Sequence, residues 1–163
     1  MRTAPLLVFV VTAALTVAAA GPLVAATATD DPPRKSGALL RWLRDGTWRD
    51  TWTPEPRIHD SLGPHGGRVR TWYSPTLVED LAAGAKTFRR GAAMVKALYG
   101  SGSTKPRGWA VMVKVKDGRS RRNWFFFESE TASVSDVIRG RGISGCADCH
   151  SGGRDFLLSK FRP

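Results

Sequence analysis

The sequence predicts an α+β fold, in which a β-sheet carries a few short helices. Three stretches support this. Residues 92–99 are apolar on both faces of an alternating pattern except at Lys96, which is typical of a buried strand. Residues 109–116 alternate tryptophan and valine with other side chains, and Asp117-Gly118 is a turn signal before a third strand at residues 123–127. The 163 residues suit one domain with one core.

Serines mark the starts of the predicted short helices. Ser36 is expected to cap a helix that stops near Gly46. Ser74 and Pro75 open a second helix, with serine as the cap and proline in the first turn. Ser133 or Ser135 is expected to cap a short helix to Ile138. Residues 69–73 form a plausible strand, whereas residues 47–67 and the glycine-rich chain after residue 138 are predicted to be irregular.

The first residues have the pattern of a secretory signal peptide. Arg2 precedes a long apolar run, and no further charge occurs before Asp30. We predict a signal peptide over residues 1–26, cleaved after Ala26 or Ala28, a linker over 27–37 and one domain over 38–163. An uncleaved anchor is the alternative, which the Gly21-Pro22 interruption disfavours. The predicted location is periplasmic or otherwise extracytoplasmic.

The composition is strongly basic. Lysine and arginine number 25 against 14 acidic residues, giving a formal net charge of +11. Such a surface attracts anions or an acidic electron-transfer partner protein. Nucleic acid is the usual partner of a basic chain, but no recognition motif is present and the chain is expected to be exported, so no nucleic-acid partner is predicted.

Both cysteines of the chain lie in the stretch Cys146-Ala147-Asp148-Cys149-His150. Residues i and i+3 share one face of a helix, so both thiols can reach one flat partner. Cysteines at this spacing with histidine directly after are the attachment signature of a c-type haem. The sequence therefore predicts one covalent haem c on Cys146 and Cys149, with His150 as the iron ligand.

Other uses of the two thiols explain the motif less well. A zinc site built from Cys146, Cys149, His59 and His65 would leave the adjacent His150 a coincidence. A disulfide between such close cysteines would constrain very little chain. A thioredoxin-like redox pair would need a βαβ setting, which this region lacks.

No histidine or methionine follows His150, so a sixth iron ligand must come from upstream. The candidates are Met94, Met112, His59, His65 and Lys96. A methionine on a strand is more often a core residue than a ligand. The simplest expectation is five-coordinate iron with an open side, which favours small-molecule binding or chemistry over pure electron transfer. Lys96 itself is either at a sheet edge, with its amine reaching water, or retained for chemistry.

The order and spacing of several motifs resemble the cytochrome P-460 family from about Leu40 to Pro163. The matching stretches are Arg41-Trp42, residues 69–73, residues 88–91 with 95–96, Asn123-Trp124, residues 146–150, and Asp155 to Phe161 and Pro163. The resemblance implies a mainly antiparallel β-sheet with a few short helices, often a homodimer, carrying one c-type haem. It also implies a hydroxylamine-oxidising oxidoreductase that acts on small nitrogen compounds.

The resemblance gives Lys96 a role. In the enzymes of this family the matching lysine is bonded to a meso carbon of the porphyrin, which distorts the ring and tunes it. That bond needs a neutral amine, and apolar surroundings lower the pKa of a lysine. The resemblance therefore implies that Lys96 faces the haem as a catalytic and cofactor-binding residue.

One departure from the family bears on catalysis. Strand matching puts Met112 where the family's oxidases have a distal carboxylate, and methionine is neither an acid nor a base. Glu128 and Asp117 are the candidate substitutes. The related β-type cytochromes c-prime bind nitric oxide behind an apolar wall, for which Phe88 and residues 125–127 are candidates. A gas-binding or electron-transfer cytochrome without catalytic activity is thus the alternative.

Overall fold

A computed structural model describes residues 31–163, so the predicted signal peptide and the start of the linker lie outside the described residues. The helices are α1 (Ser36–Asp45), α2 (Pro75–Ala82) and α3 (Ser144–His150). The strands are β1 (Thr53–Pro54), β2 (His59–Asp60), β3 (Arg68–Tyr73), β4 (Ala93–Tyr99), β5 (Pro106–Lys114), β6 (Trp124–Ser129) and β7 (Ile138–Arg141). In residues 31–163 no helix is long and apolar enough to span a membrane.

All seven strands form one antiparallel sheet. The order is β1-β3-β4-β5-β6-β7, and β2 also pairs with β3. From β3 onward each strand pairs with the next one along the chain. The prediction of an α+β fold with a mainly antiparallel sheet and a few short helices is confirmed at this level.

The long strands lie where the alternating patterns predicted them, with ends shifted by a few residues. The sequence missed β1, β2 and β7, because these strands are short and mostly exposed and therefore lack an apolar pattern. The predicted helix after Ser133 is a single 3-10 turn, Val134–Asp136.

Two of the three predicted serine caps are confirmed. Ser133 caps its 3-10 turn, and its Oγ accepts a hydrogen bond from the Ser135 backbone N–H at 3.3 Å. Ser74 caps α2 as predicted, and its Oγ accepts hydrogen bonds from the backbone N–H groups of Leu77 (3.3 Å) and Ala93 (2.9 Å). Ser36 is not a cap, because it is the first residue of α1 and the preceding Lys35 makes no side-chain cap hydrogen bond. Helix α1 ends at Gly46, whose φ of 73° is the left-handed conformation that glycine adopts without strain.

One face of the sheet is closed by α1 and a group of tryptophans, and we call it the tryptophan face. Leu39, Leu40 and Leu43 of α1 are almost fully buried against it. The Trp42 and Trp48 rings stack with centroids 5.2 Å apart, and Trp48 also contacts two further indoles edge-on. The face is completed by Trp52, Trp72, Val95, Ala97, Trp109, Val111, Val113, Phe125 and Phe127.

The opposite face, which we call the cavity face, carries α2, α3 and the segment after His150. Its apolar core lies at one end and contains Tyr73, Leu77, Leu81, Phe88, Met94, Met112, Trp124, Phe126, Ala147 and Leu157. The remainder of this face is a large concavity. Because side chains alternate along each strand, β4 and β5 contribute to both faces.

Candidate functional site

The concavity on the cavity face has a volume of about 1290 Å³. Most small-molecule sites lie in the range of about 300–1,000 Å³, so this one has room for a large cofactor. It is bounded by the sheet, by the loop that contains His65, by α3 and by the segment leading to Pro163. Lys96, Cys146, Cys149 and His150, the residues predicted from the sequence, all line it.

A row of residues in register crosses the floor of the cavity. Lys96 of β4 lies opposite Thr71 of β3 on one side and Ala110 of β5 on the other, and Ala110 lies opposite Glu128 of β6. Adjacent strands are about 4.8 Å apart, so Lys96 and Glu128 are separated by about 10 Å along the row. Ala110 projects only a methyl group between them, which leaves the space above it open.

Lys96 is half-buried at the middle of the sheet. Strand β4 lies between β3 and β5, so the interpretation of Lys96 as an edge residue is wrong. Within residues 31–163 its ammonium group makes no hydrogen bond or ion pair, and it lines the cavity. Burial lowers the pKa of Lys96, while the carboxylates of Glu55 and Glu128 act in the opposite direction. The net shift is toward easier loss of the Lys96 proton, and the neutral amine is the nucleophilic form.

Helix α3 presents two free thiols to the cavity. Cys146 is half-buried and Cys149 exposed, and neither is in a disulfide. Burial raises the pKa of the Cys146 thiol. Ala147, between them, is 1% exposed and packs the helix onto the apolar end of the cavity face. The two cysteines do not form a disulfide in this structure, so that alternative is not supported. The antiparallel sheet also excludes a thioredoxin-like βαβ setting for the described chain.

His150 is held in one orientation and one tautomer. Its side chain is 9% exposed, and its Nδ1 lies 2.9 Å from the carbonyl oxygen of Phe156. A carbonyl oxygen only accepts, so Nδ1 carries the proton and Nε2 keeps its lone pair. Burial also lowers the pKa of His150, which keeps the ring neutral. A metal-ligating histidine commonly has its second nitrogen fixed by such a backbone carbonyl.

The Phe156 carbonyl is positioned by a buried ion pair that sequence reasoning missed. Lys114 of β5 pairs with Asp155, and both side chains are 0% exposed. Asp155 Oδ2 also accepts from the Phe88 backbone N–H at 2.9 Å. Asp155 and Phe156 both have positive φ, 46° and 69°. The sequence contains one indication of this ion pair. Lys114 is a second lysine within an apolar strand, as Lys96 is.

No protein-family model, curated protein or solved structure matches the chain.

The donor set fits a c-type haem, on the chemistry of the side chains themselves. Two free thiols and one neutral imidazole with an unused lone pair face the same cavity, which is lined by apolar side chains on much of its surface. The same residues do not form a zinc site. In residues 31–163 no group of three or more histidine, cysteine, aspartate or glutamate side chains is placed to hold a metal ion, so the described residues do not support the zinc alternative with His59 and His65.

Of the two carboxylates predicted to replace the one missing at Met112, only one lies at the cavity. Glu128 lines the cavity, whereas Asp117 lies at the turn after β5 and accepts a hydrogen bond from the Arg90 backbone N–H at 2.6 Å. Glu55, which sequence reasoning did not single out, lines the cavity on the far side of Lys96. Its carboxylate accepts from the Thr71 backbone N–H at 2.7 Å. Two carboxylates therefore flank the amine.

Of the four phenylalanines proposed for an apolar wall, Phe126 and Phe127 line the cavity, whereas Phe88 and Phe125 do not. Phe88 is buried in the core of the cavity face without lining the cavity, and Phe125 belongs to the tryptophan face. Phe126 does line the cavity, with its ring 5.8 Å from that of His150. Met94 and Met112 are each 4% exposed and form part of the apolar end of the wall.

Proposed function

We propose that the protein is a mono-haem c-type cytochrome whose haem occupies the cavity. Cys146 and Cys149 would form the thioether bonds, and His150 Nε2 would ligate the iron. The observation that carries the proposal is the pairing of the His150 Nδ1 proton with the Phe156 carbonyl, beside two free thiols in one cavity. It leaves His150 Nε2 with a basic lone pair on a residue that lines the same cavity as both thiols.

We further propose that the protein acts on small nitrogen compounds, with hydroxylamine oxidation as the reaction. A bound haem supplies one-electron redox chemistry and a binding position for a small ligand. Oxidation of hydroxylamine releases protons together with electrons, so it benefits from bases near the substrate. Glu55 and Glu128 line the cavity and supply those bases. Glu128 thereby takes the part that Met112 cannot perform. Membership of the cytochrome P-460 family is part of the same proposal.

Lys96 has the properties needed for attachment to the porphyrin. Its amine is unpaired, half-buried and shifted toward the neutral form. It lies on the floor of the same cavity as the two thiols. Export to an extracytoplasmic compartment, an acidic electron-transfer partner and a homodimer complete the proposal, with the charge of +11 supporting the choice of partner.

Nitric oxide binding without turnover is the second candidate. The apolar end of the cavity, with Phe126 near His150, favours it. The opposite side favours chemistry, because ionisable side chains line it. Glu55, His65, Lys96 and Glu128 all border the cavity. The oxidase is therefore our first choice.

The test is mass spectrometry of the protein matured with haem, followed by a peptide digest. We expect the intact mass to exceed that of the chain by one haem that acid does not extract, and a digest to join Lys96 to the porphyrin. Lys96→Met should lose that bond, shift the Soret band to the blue and slow hydroxylamine-dependent reduction of an electron acceptor. Lys105→Met, at an exposed lysine, is the control. A chain that carries no covalent haem would refute the proposal. Haem attachment without turnover, together with tight nitric oxide binding, would favour the second candidate.

A further inference from the structure

Two of the three histidines of the chain face each other across the cavity. The ring centroids of His65 and His150 are 6.2 Å apart, and the ring planes are inclined at 65°. His65 comes from the loop between β2 and β3, and His150 from the end of α3, so the two rings approach from different sides of the site. No hydrogen bond joins the two rings within residues 31–163, and each is held by a partner of its own.

Each of the two rings has one nitrogen fixed and the other unused. His65 Nδ1 donates to Glu128 Oε1 at 2.9 Å, and its side chain is 18% exposed. His150 Nδ1 donates to the Phe156 carbonyl. A carboxylate or a carbonyl on the second nitrogen is the usual support of a metal-bound histidine, because it fixes the ring and makes the other nitrogen more basic. Both Nε2 atoms are left available as ligands.

The third histidine, His59, lines the same cavity but differs in the partners of its two ring nitrogens. His59 lines the site, but its Nδ1 donates to the Asp60 carbonyl at 2.8 Å and its Nε2 is paired with Glu55 Oε2 at 3.1 Å. Both ring nitrogens lie within hydrogen-bond distance of oxygen atoms, so neither is directed at the open space of the cavity. His59 and His65 therefore differ in the property that ligation requires.

The separation of the His65 and His150 rings fits one metal ion between them. A metal–imidazole bond is about 2 Å long, and two such bonds on opposite sides of one ion place the ring centres about 6 Å apart. We infer that His65 Nε2 is the second axial ligand of the haem iron, opposite His150. This inference rests on the proposed haem site. It departs from the five-coordinate iron expected from the sequence and assigns to His65 and Glu128 a joint role on the substrate side.

The inference changes how a small ligand reaches the iron. The ligand must displace His65, whose ring is held in place by the hydrogen bond from Nδ1 to Glu128. The loop carrying His65 is closed at its base by the hydrogen bond from Ser61 N–H to the Gly67 carbonyl, 2.8 Å. Leu62 within it is 90% exposed, so this side chain does not anchor the loop against such a movement. His65 then holds the resting iron in a closed state.

The test uses the haem-loaded protein and its electron paramagnetic resonance and optical spectra. We expect the ferric wild type to be low-spin with the signal of two histidine ligands. His65→Ala should be high-spin, and His59→Ala, the matched control in the same cavity, should remain low-spin. Cyanide should bind His65→Ala about tenfold or more tightly than the wild type, because the binding-competent fraction of the wild type is small. Glu128→Gln should give an intermediate cyanide affinity.

Two outcomes would overturn the inference while leaving the proposed function intact. One is covalent haem with a high-spin ferric wild type, and the other is a low-spin spectrum that survives in His65→Ala. The wild-type spectrum alone decides the first, so the test does not depend on the folding of a variant. Absence of covalent haem from the wild type would instead overturn the proposed function and this inference with it.

Discussion

Strands β4 and β5 contribute to both faces of the sheet, but the side chains on the two faces differ in chemistry. The tryptophan face is filled by indole rings and the leucines of α1. The cavity face has an apolar core at one end only, and elsewhere it presents an amine, carboxylates, imidazoles and thiols. Along β4 the contrast appears between neighbours, because Val95 and Ala97 are fully buried on one side and the intervening Lys96 borders the cavity on the other.

This difference explains how a small domain can contain a large cavity and still be stably folded. The volume left unfilled on the cavity face is not available for apolar packing, so the tryptophan face must supply most of the hydrophobic stabilisation. This packing leaves some buried polar atoms without a hydrogen bond. The indole Nε1 atoms of Trp48, Trp52 and Trp109 are buried without a hydrogen-bond partner in the described part of the chain.

Breaking the ion pair of the cavity face should give the largest loss. Lys114→Met leaves the Asp155 carboxylate buried without its cation, and loss of one partner of a buried pair costs about 3–5 kcal/mol. Asp155 also precedes the residue whose carbonyl fixes His150. We therefore expect a lower free energy of unfolding in denaturant titrations and, in the haem-loaded protein, an altered proximal ligand spectrum.

Two further variants isolate that effect. Lys116→Met removes an exposed lysine two positions later on the same chain and should change neither quantity. Adding Asp155→Leu to Lys114→Met removes the unpaired charge, so it should recover part of the stability without restoring the spectrum. Recovery of both would show that Asp155 does not position His150.

Adding volume to neighbouring positions tests the comparison directly. Ala97 is 0% exposed in the tryptophan face, and Ala110, on the adjacent strand, lines the cavity. Ala97→Leu should overpack the closed face and destabilise the fold by about 1–3 kcal/mol. Ala110→Leu should have a smaller effect on unfolding but should fill the space between Lys96 and Glu128 and reduce haem incorporation. Equal destabilisation by both variants, with haem content unchanged, would contradict the assignment of the two faces.

The smallest expected effect is a pH dependence at the rim of the tryptophan face. Asp136 accepts hydrogen bonds from Ser129 Oγ (2.6 Å) and from the Thr131 backbone N–H and Oγ1 (both 2.7 Å). The Ser129 bond, first among these, lowers the Asp136 pKa to about 2. The folded-state pKa lies below the unfolded value of about 3.9, so this stabilisation is present above pH 4 and is lost as the pH falls toward 2.

Asp136→Asn should therefore be less stable than the wild type at neutral pH, and the difference should shrink between pH 4 and pH 2. Denaturant titrations at several pH values measure it. Asp45→Asn is the control, since the Asp45 side chain is exposed and makes no hydrogen bond within residues 31–163. A difference between Asp136→Asn and the wild type that is independent of pH would assign the effect to shape rather than to charge.

The sequence was most informative where one local pattern determined the outcome. Alternating apolar residues predicted β4, β5 and β6, and Ser74 before Pro75 predicted the start of α2. The spacing of Cys146, Cys149 and His150 predicted that three donor side chains would border one space, as they do. In each case the interactions involve residues close together along the chain or follow a strict period.

What the sequence did not provide depends on contacts between distant residues. The pairings of His65 with Glu128 and of Lys114 with Asp155 span 63 and 41 positions, and no local pattern indicates either one. An edge position for Lys96 stayed open because the sequence does not reveal the strand order, and that order places β4 between β3 and β5. The sequence also did not show that the register brings Glu128 into the row with Lys96.

The neighbour-to-neighbour order of the strands has a consequence for how the chain folds. Pairing from β3 to β7 joins segments that follow one another in sequence, so the sheet can assemble by successive hairpins at a modest entropic cost of loop closure. The cavity walls close over much longer spans, as in the hydrogen bond between Tyr73 and Ser159, 86 positions apart. We expect the sheet and its tryptophan face to form first and the walls to close afterwards. The two thiols would then remain accessible to a bulky cofactor until a late stage of folding.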